Sequence, residues 1–421
     1  MGAKFEPNDG QVLHGLGQYV PTVFGYTDAE NWQYVSEYQT GVGHVPVIYA
    51  AYQGIHPLAA MLDSTDLTDI VQNHGYPYYL NLGLALYDET QTINVTEILN
   101  GDYDAQIISI ATEVKSIRVP CFVRPGFEFG TGSSGVHSGI SGPDFILVWN
   151  HIRSVFATVG VDNVAWVWNA VNPDAFDYMS YYPGDDAVDW WGINYFTVSQ
   201  MNSSEPFVLD AASHNKPVIV CESCPIHNGG TGNADNWADW FVPYFGKITG
   251  HAHLKAFTYI SDPWDKPGFW DEWATSLIDE NETIRSNYAA EMGDARYVHH
   301  KSHYVLDLTV KKPQWGRVDL NPEPNDANAP NFPAGTLVTL TAEPNEGKSF
   351  KLWKIDDPWH PGDAGYIVTD TNNPIAVLMV ADREVKAVLK CGGGMEQAIP
   401  LLVIGMSLCG VVARRARRRG R

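Results

Sequence analysis

Two glutamates stand where strand-like text gives way to a turn: Glu128, after VPCFVRPGF, and Glu222, closing KPVIVCE. One such carboxylate is ordinary surface polarity. Two that meet can hydrolyse a glycosidic bond, one giving a proton to the leaving oxygen and the other attacking the anomeric carbon. Enzymes that retain configuration hold the two carboxyl groups about 5 to 5.5 Å apart. The division of labour requires surroundings that push the two pKa values apart. Glu128 lies between Phe127 and Phe129, an apolar setting that favours the protonated form. Glu222 follows the run VIVC and can be held ionised by donors from neighbouring strands, Tyr195 among them. Glu128 is therefore expected as acid/base and Glu222 as nucleophile.

Such a pair needs a scaffold that brings both strand ends to one mouth. Short apolar runs alternate with amphipathic stretches up to about residue 300, which predicts alternating β and α elements around a parallel sheet. The strand candidates are 14–20, 45–52, 78–84, 119–124, 163–169, 188–194, 216–222 and 254–260, with helices over 104–117 and 143–160 among the segments between them. Eight strands with crossovers are the count of a closed (β/α)8 TIM barrel, an α/β fold whose site lies at the C-terminal strand ends. An open doubly wound sheet is the competing architecture, but its Gly-x-Gly-x-x-Gly turn is missing after the first run. Strands four and seven are three apart in such a barrel, so Glu128 and Glu222 face each other across the mouth. Other groups at strand ends could bind sugar: Trp168, Asn169, Trp264 and Trp270 as platforms or donors beside strands five and eight, Asn194 at the sixth, and His14 and Gln18 near the first. Trp190 and Trp191, adjacent in one strand, read as core.

Composition agrees with a folded, multi-part protein: 421 residues, 44% hydrophobic, with 14 Trp and 21 Tyr. A net charge of −22 argues against a nucleic-acid partner, since the main body lacks a basic stripe. The five cysteines form neither a dense disulfide framework nor a zinc pattern, and the C-x-x-C of CESC lies in a strand. Buried thiols are the expectation, with no metal and no cofactor. A linker helix near 281–297 is expected to end the barrel segment, residues 1–300. Residues 301–390 alternate short strands with Pro, Gly and Asn turns and predict a small all-β module. The segment DDPWHPGD at 356–363 looks ligand-like but is explained equally by turn chemistry. Residues 391–421 hold CGGG, an apolar run from Ala398 to Ala413 and then a cluster of arginines. The run is expected as a short hydrophobic helix, slightly below the roughly 17 to 25 residues of a membrane span, with the arginines on the cytoplasmic side. The start MGAKFEPNDGQ does not read as a secretion signal, so the expectation is either a leader already removed or a truncated gene model.

The strings VRPGFEFG, NVAWVWN, YYPGDDAVDWWGINYF, KPVIVCE and LKAFTYI make residues 9–290 resemble glycoside hydrolase family 26, mannanase-like hydrolases of the retaining (β/α)8 clan. The resemblance implies acid/base and nucleophile roles for Glu128 and Glu222, a supporting role for Arg124 beside Glu128, and an orienting role for Tyr195. It departs at Phe127, where many family mannanases carry His, and at GTGSSGVHSG, where they place Trp residues. Mannan is weakened as the substrate while β-glycan hydrolysis is not. GTLVTLTAEPNEGKSFKLW and NPIAVLMVADREVKA resemble the internalin B-repeat family, which implies a spacer or adhesion module. Motif, apolar run and arginines together resemble a tripartite C-terminal sorting signal of bacterial surface proteins, with Cys391 in the motif and a plain membrane anchor as the other reading. A monomeric hydrolase of β-mannan, β-1,3-xylan or mixed-linkage glucan, secreted or attached to a bacterial cell envelope, is the expectation. The alternative is a catalytically silent barrel that binds polysaccharide.

Overall fold

In the computed structural model the eight apolar runs are β1 (Val12–Gly17), β2 (Ile48–Gly54), β3 (Tyr79–Ala85), β4 (Cys121–Pro125), β5 (Val164–Ala170), β6 (Trp190–Tyr195), β7 (Val218–Ser223) and β8 (Leu254–Ile260). The structure describes residues 2–20, 25–56, 67–72, 74–88, 90–130, 136–226, 237–264, 273–324, 330–356 and 367–391. Each strand pairs in parallel with the next, and β1 pairs with both β8 and β2, so the sheet closes on itself. That closure decides for the barrel over the open sheet. Nearly every residue of the eight strands is buried, Trp166 of β5 being an exception. Parallel strands covered on both faces require such continuous apolar text.

The helices follow from periodicity and caps. Helix Asp104–Ile117 buries Ile107, Ile110, Ala111, Val114 and Ile117, a stripe at three- and four-residue spacing. Helix Gly142–Val159 starts at Ser141, whose hydroxyl accepts from the Asp144 amide, and stops at Gly160 in the left-handed region. The expected linker helix is shorter than its text, Glu282–Met292, capped by Asn281. Inside the barrel Gly192 is required by space, since a Cβ there would stand 2.7 Å from Cys221 Sγ. Cys121, Cys221 and Cys224 are buried free thiols, and Trp190 and Trp191 are fully buried.

A second core follows, built around Leu306, Leu340, Trp353 and Val385. Strands β10 (His303–Lys311), β12 (Asn331–Pro333), β14 (Lys348–Asp356), β15 (Ile367–Asp370) and β17 (Arg383–Cys391) make one sheet, and β11 (Gly316–Asn321), β13 (Leu337–Pro344) and β16 (Ile375–Leu378) another; β9 (Tyr297–Val298) pairs with β1 of the barrel. Burial alternates along β10, β11 and β13, the period of sheets solvated on one face. The module meets the barrel at its base. Tyr79, the first residue of β3, donates to the Val380 carbonyl at 2.9 Å, and His300 lies among Tyr76, Tyr78, Tyr79 and Tyr304. A cavity of about 440 Å³ between them is lined by Tyr76, Pro77 and Arg118 on one side and Gly335 and Leu378 on the other. The expected C-terminal helix, its arginines and most of DDPWHPGD lie outside the described residues. Among the described residues no helix is long and apolar enough to cross a membrane.

Candidate active site

Glu128 is aimed by a tight turn. After β4, Gly126 takes φ +59°, where a Cβ would stand 2.8 Å from Leu86 and 2.9 Å from Phe145, and Glu128 itself takes φ +54°. A non-glycine residue there carries backbone strain of about 1 to 2 kcal/mol, held only because its surroundings over-determine it. The surroundings are visible: Phe129 bridges to His137 and to Ala170 at the end of β5, and the His137 amide donates to the Glu128 carbonyl. The His137 ring accepts from the Leu86 amide at Nε2 and donates to the Phe127 carbonyl at Nδ1. Burial lowers its pKa to about 4, so it is a neutral clamp on the turn. Sequence reasoning passed over His137, which lies nine residues beyond Glu128.

The polar groups behind the two glutamates form one chain across four consecutive strand ends. Arg124 of β4, fully buried, donates from Nη1 to Glu222 Oε1 of β7 at 2.6 Å and to Asn169 Oδ1 of β5 at 2.9 Å. Asn169 Nδ2 donates to Asn194 Oδ1 of β6 at 3.2 Å, and Asn194 Nδ2 donates to Glu128 Oε1 at 2.7 Å. The guanidinium is held between the rings of Tyr52 and Phe127, at 5.5 and 5.2 Å from their centroids. Phe127 thus packs against Arg124. A bulge in β6–β7 pairing sets Asn194 opposite Glu222.

These surroundings act on the two glutamates differently. Glu128 has its pKa raised to about 7, first by burial and then by the charge of Glu222, while the Asn194 hydrogen bond and Arg124 pull the other way. Glu222 has the guanidinium as its direct partner. Glu128 is thus suited to giving a proton, and the charge-paired Glu222 is placed where it could act on the same substrate.

Several expected ligands are placed elsewhere. Tyr195 does not orient Glu222: its hydroxyl bonds Ser204 at 2.8 Å, because the pleat turns Tyr195 away when it turns Asn194 inward. The phenol that does reach Glu222 and Arg124 is Tyr52 of β2, which also donates to Gln18 Oε1 at 2.6 Å. Trp168 is no sugar platform, since it is fully buried against Phe129, Trp191 and Phe207 and donates to the Tyr181 carbonyl. The same pleat that hides it presents Asn169. His14 is also fully buried, between Tyr38 and His299, and serves the packing outside the barrel wall. Trp264 is buried against Trp273 and offers no open face, while Trp270 lies outside the described residues. Gln18 does stand at the mouth, between Tyr52 and Asp262. Asp262, two residues beyond β8, is a third carboxyl group at a strand end, and the rule that selects Glu128 fits it equally. Among the described residues no group of three or more His, Cys, Asp or Glu is placed to hold a metal ion.

Comparison with known proteins adds the biological setting. No family model matches the chain. A β-1,3-xylanase of a Vibrio species is 25% identical, over 73% of this chain and 70% of its own length. A β-1,3-xylanase of an Alcaligenes species is likewise 25% identical, over 73% and 69%. Among solved structures, GH26C of a Muricauda species aligns with a TM-score of 0.51 at 16% identity, covering 69% of this chain and 87% of that one.

Proposed function

We propose that the protein is a retaining endo-β-glycanase whose substrate is β-1,3-xylan or a closely related neutral β-glycan. It is a glycoside hydrolase acting on β-linked polysaccharide, in keeping with the xylanases it resembles and with the fold it shares. The observation that carries the mechanism is the unbroken chain Glu222–Arg124–Asn169–Asn194–Glu128, with Glu128 raised to about 7. In the first step a Glu222 oxygen attacks the anomeric carbon while the bond to the leaving oxygen breaks and takes the Glu128 proton. In the second, Glu128 removes a proton from water, whose oxygen displaces Glu222 from the same carbon. Two inversions leave the configuration unchanged. Arg124 keeps its charge throughout and holds the Glu222 carboxylate in register.

Xylan is preferred over mannan on two grounds: the likeness to β-1,3-xylanases, and Phe127 with its small following loop in place of His and Trp. A neutral polymer also suits a chain of net charge −22. In this reading the protein works outside the cytoplasm, with the all-β module as spacer and residues 391–421 as the attachment to the cell envelope. The test is release of reducing ends from β-1,3-xylan, mannan and mixed-linkage glucan by wild type, Glu128→Ala and Glu222→Ala. Each variant is expected to lose at least about 10²- to 10⁴-fold in kcat. A wild type that binds one of these glycans and cleaves none of them would make the barrel a binding protein.

A further inference from the structure

Asp262 follows β8 and is 3% exposed. Its backbone is fixed: the amide donates to Ser276 Oγ at 3.0 Å, and its carbonyl accepts from the amides of Trp264 and Ser276. Its side chain is less fully used. Tyr26 donates to Oδ1 at 3.4 Å and Gln18 approaches the carboxyl with both its side chain and its backbone, but Oδ2 is buried with no hydrogen-bond partner among the described residues. Gln18 in turn accepts from the Tyr52 hydroxyl, which lies beside Glu222 and Arg124.

An amide between two such groups is an either-or connector. With Gln18 Oε1 turned to Tyr52, its Nε2 faces Asp262 and needs an acceptor there, and the single proton of the Tyr52 hydroxyl is committed to Gln18. With the amide reversed, Asp262 must be the donor; Nε2 then donates to the Tyr52 oxygen, and the phenol proton is free for the Glu222 carboxylate. A protonated carboxyl satisfies that second arrangement.

We propose that Asp262 is a positioning residue for Glu222, acting through the Gln18 amide to decide whether the Tyr52 hydroxyl donates to the nucleophile. The inference rests on Glu222 being the nucleophile. Burial raises the Asp262 pKa to about 8, against the opposing hydrogen bonds of Gln18 and Tyr26, so the donating form prevails at neutral pH. The titratable groups facing Asp262 are Tyr26, Tyr49 and Tyr259 and the Cys224 thiol, whose own pKa values are raised by burial. None of these is a cation that would restore its charge.

The experiment is the pH profile of β-1,3-xylan hydrolysis by the full chain and by Tyr52→Phe, Asp262→Asn, Asp262→Ala and the double variant Asp262→Ala/Tyr52→Phe. Tyr52→Phe should lower kcat about tenfold at little change in KM, as expected when a reacting group is merely misaligned. Asp262→Ala should lose a similar amount, and the double variant should be no worse than Tyr52→Phe alone. Asp262→Asn, which keeps a donor toward Gln18, should restore kcat, and its rate should fall less steeply than that of wild type above about pH 8. If Asp262→Ala does not fold, Gln18→Met breaks the same link and is subject to the same comparison. Independent losses that add in the double variant, or an Asn variant as damaged as Ala, would overturn the proposal. A wild type inactive on every glycan would instead remove the hydrolase reading on which it depends.

Discussion

At the scale of single residues, Glu128 sets the pH response. Its folded pKa of about 7 lies above the ordinary carboxyl value, so the native state binds this proton more tightly than the unfolded chain. Two consequences share that sign. The alkaline limb of kcat/KM should fall as pH rises through about 7, because the proton donor is lost; a rate still rising at pH 9 would contradict the assignment. The stability contributed by this group is present in full below the ordinary carboxyl range and disappears as pH rises through about 7, so Glu128→Gln should stabilise the protein at pH 8, by about 1 to 3 kcal/mol. Denaturant titrations at pH 5 and pH 8 measure the difference. The neighbours supply a second pair of outcomes. Asn194→Leu removes a hydrogen bond to the ionised form and should move the alkaline limb to higher pH. Glu222→Gln removes the repelling charge and should lower the Glu128 titration, which carbon-labelled NMR of the side chain reads directly.

At the scale of elements, the turn after β4 carries the precision of the site. Gly126→Ala meets Leu86 and Phe145 and places a side chain at φ +59°, so a loss of about 1 to 2 kcal/mol is expected in a thermal melt. A fall in kcat larger than the melt accounts for should accompany it, because Glu128 is displaced. The strands were legible to within three residues at either end, and so was the meeting of two of those ends, where Glu128 and Glu222 lie within electrostatic reach of each other. What the text could not supply is the phase of the pleat. A run such as VAWVWNA is apolar at nearly every position and so has no alternation to show which residues face inward. That is why Trp168 and Tyr195 were assigned to the mouth, while Asn169 and Asn194 do the bonding there. Bulges in β6–β7 and β7–β8 pairing shift the register again just where the site is built. Tyr52 was missed for a related reason: it sits in the apolar run YAAY of β2, and only closure of the ring brings it to Glu222. Nothing in its local text distinguishes it from a core tyrosine.

At the scale of the molecule, the all-β module meets the barrel at the start of β3 and before β4, the end opposite the catalytic mouth. Deleting residues 301–421 should therefore leave kcat on soluble oligosaccharides within about twofold, since no described contact of the module touches the site, while exposing the tyrosines around His300. The melting temperature should drop, and differential scanning calorimetry checks it; an altered cleavage pattern would mean that the module reaches the cleft. The direction of the last strand has a mechanical consequence. β17 starts a few residues after Val380, which touches the barrel base, and runs parallel to β10, so nine residues at about 3.3 Å each set Cys391 roughly 25 Å along the strand from that end. Under the proposed attachment, load that enters at Cys391 is borne by the parallel β10–β17 ladder rather than by the barrel strands.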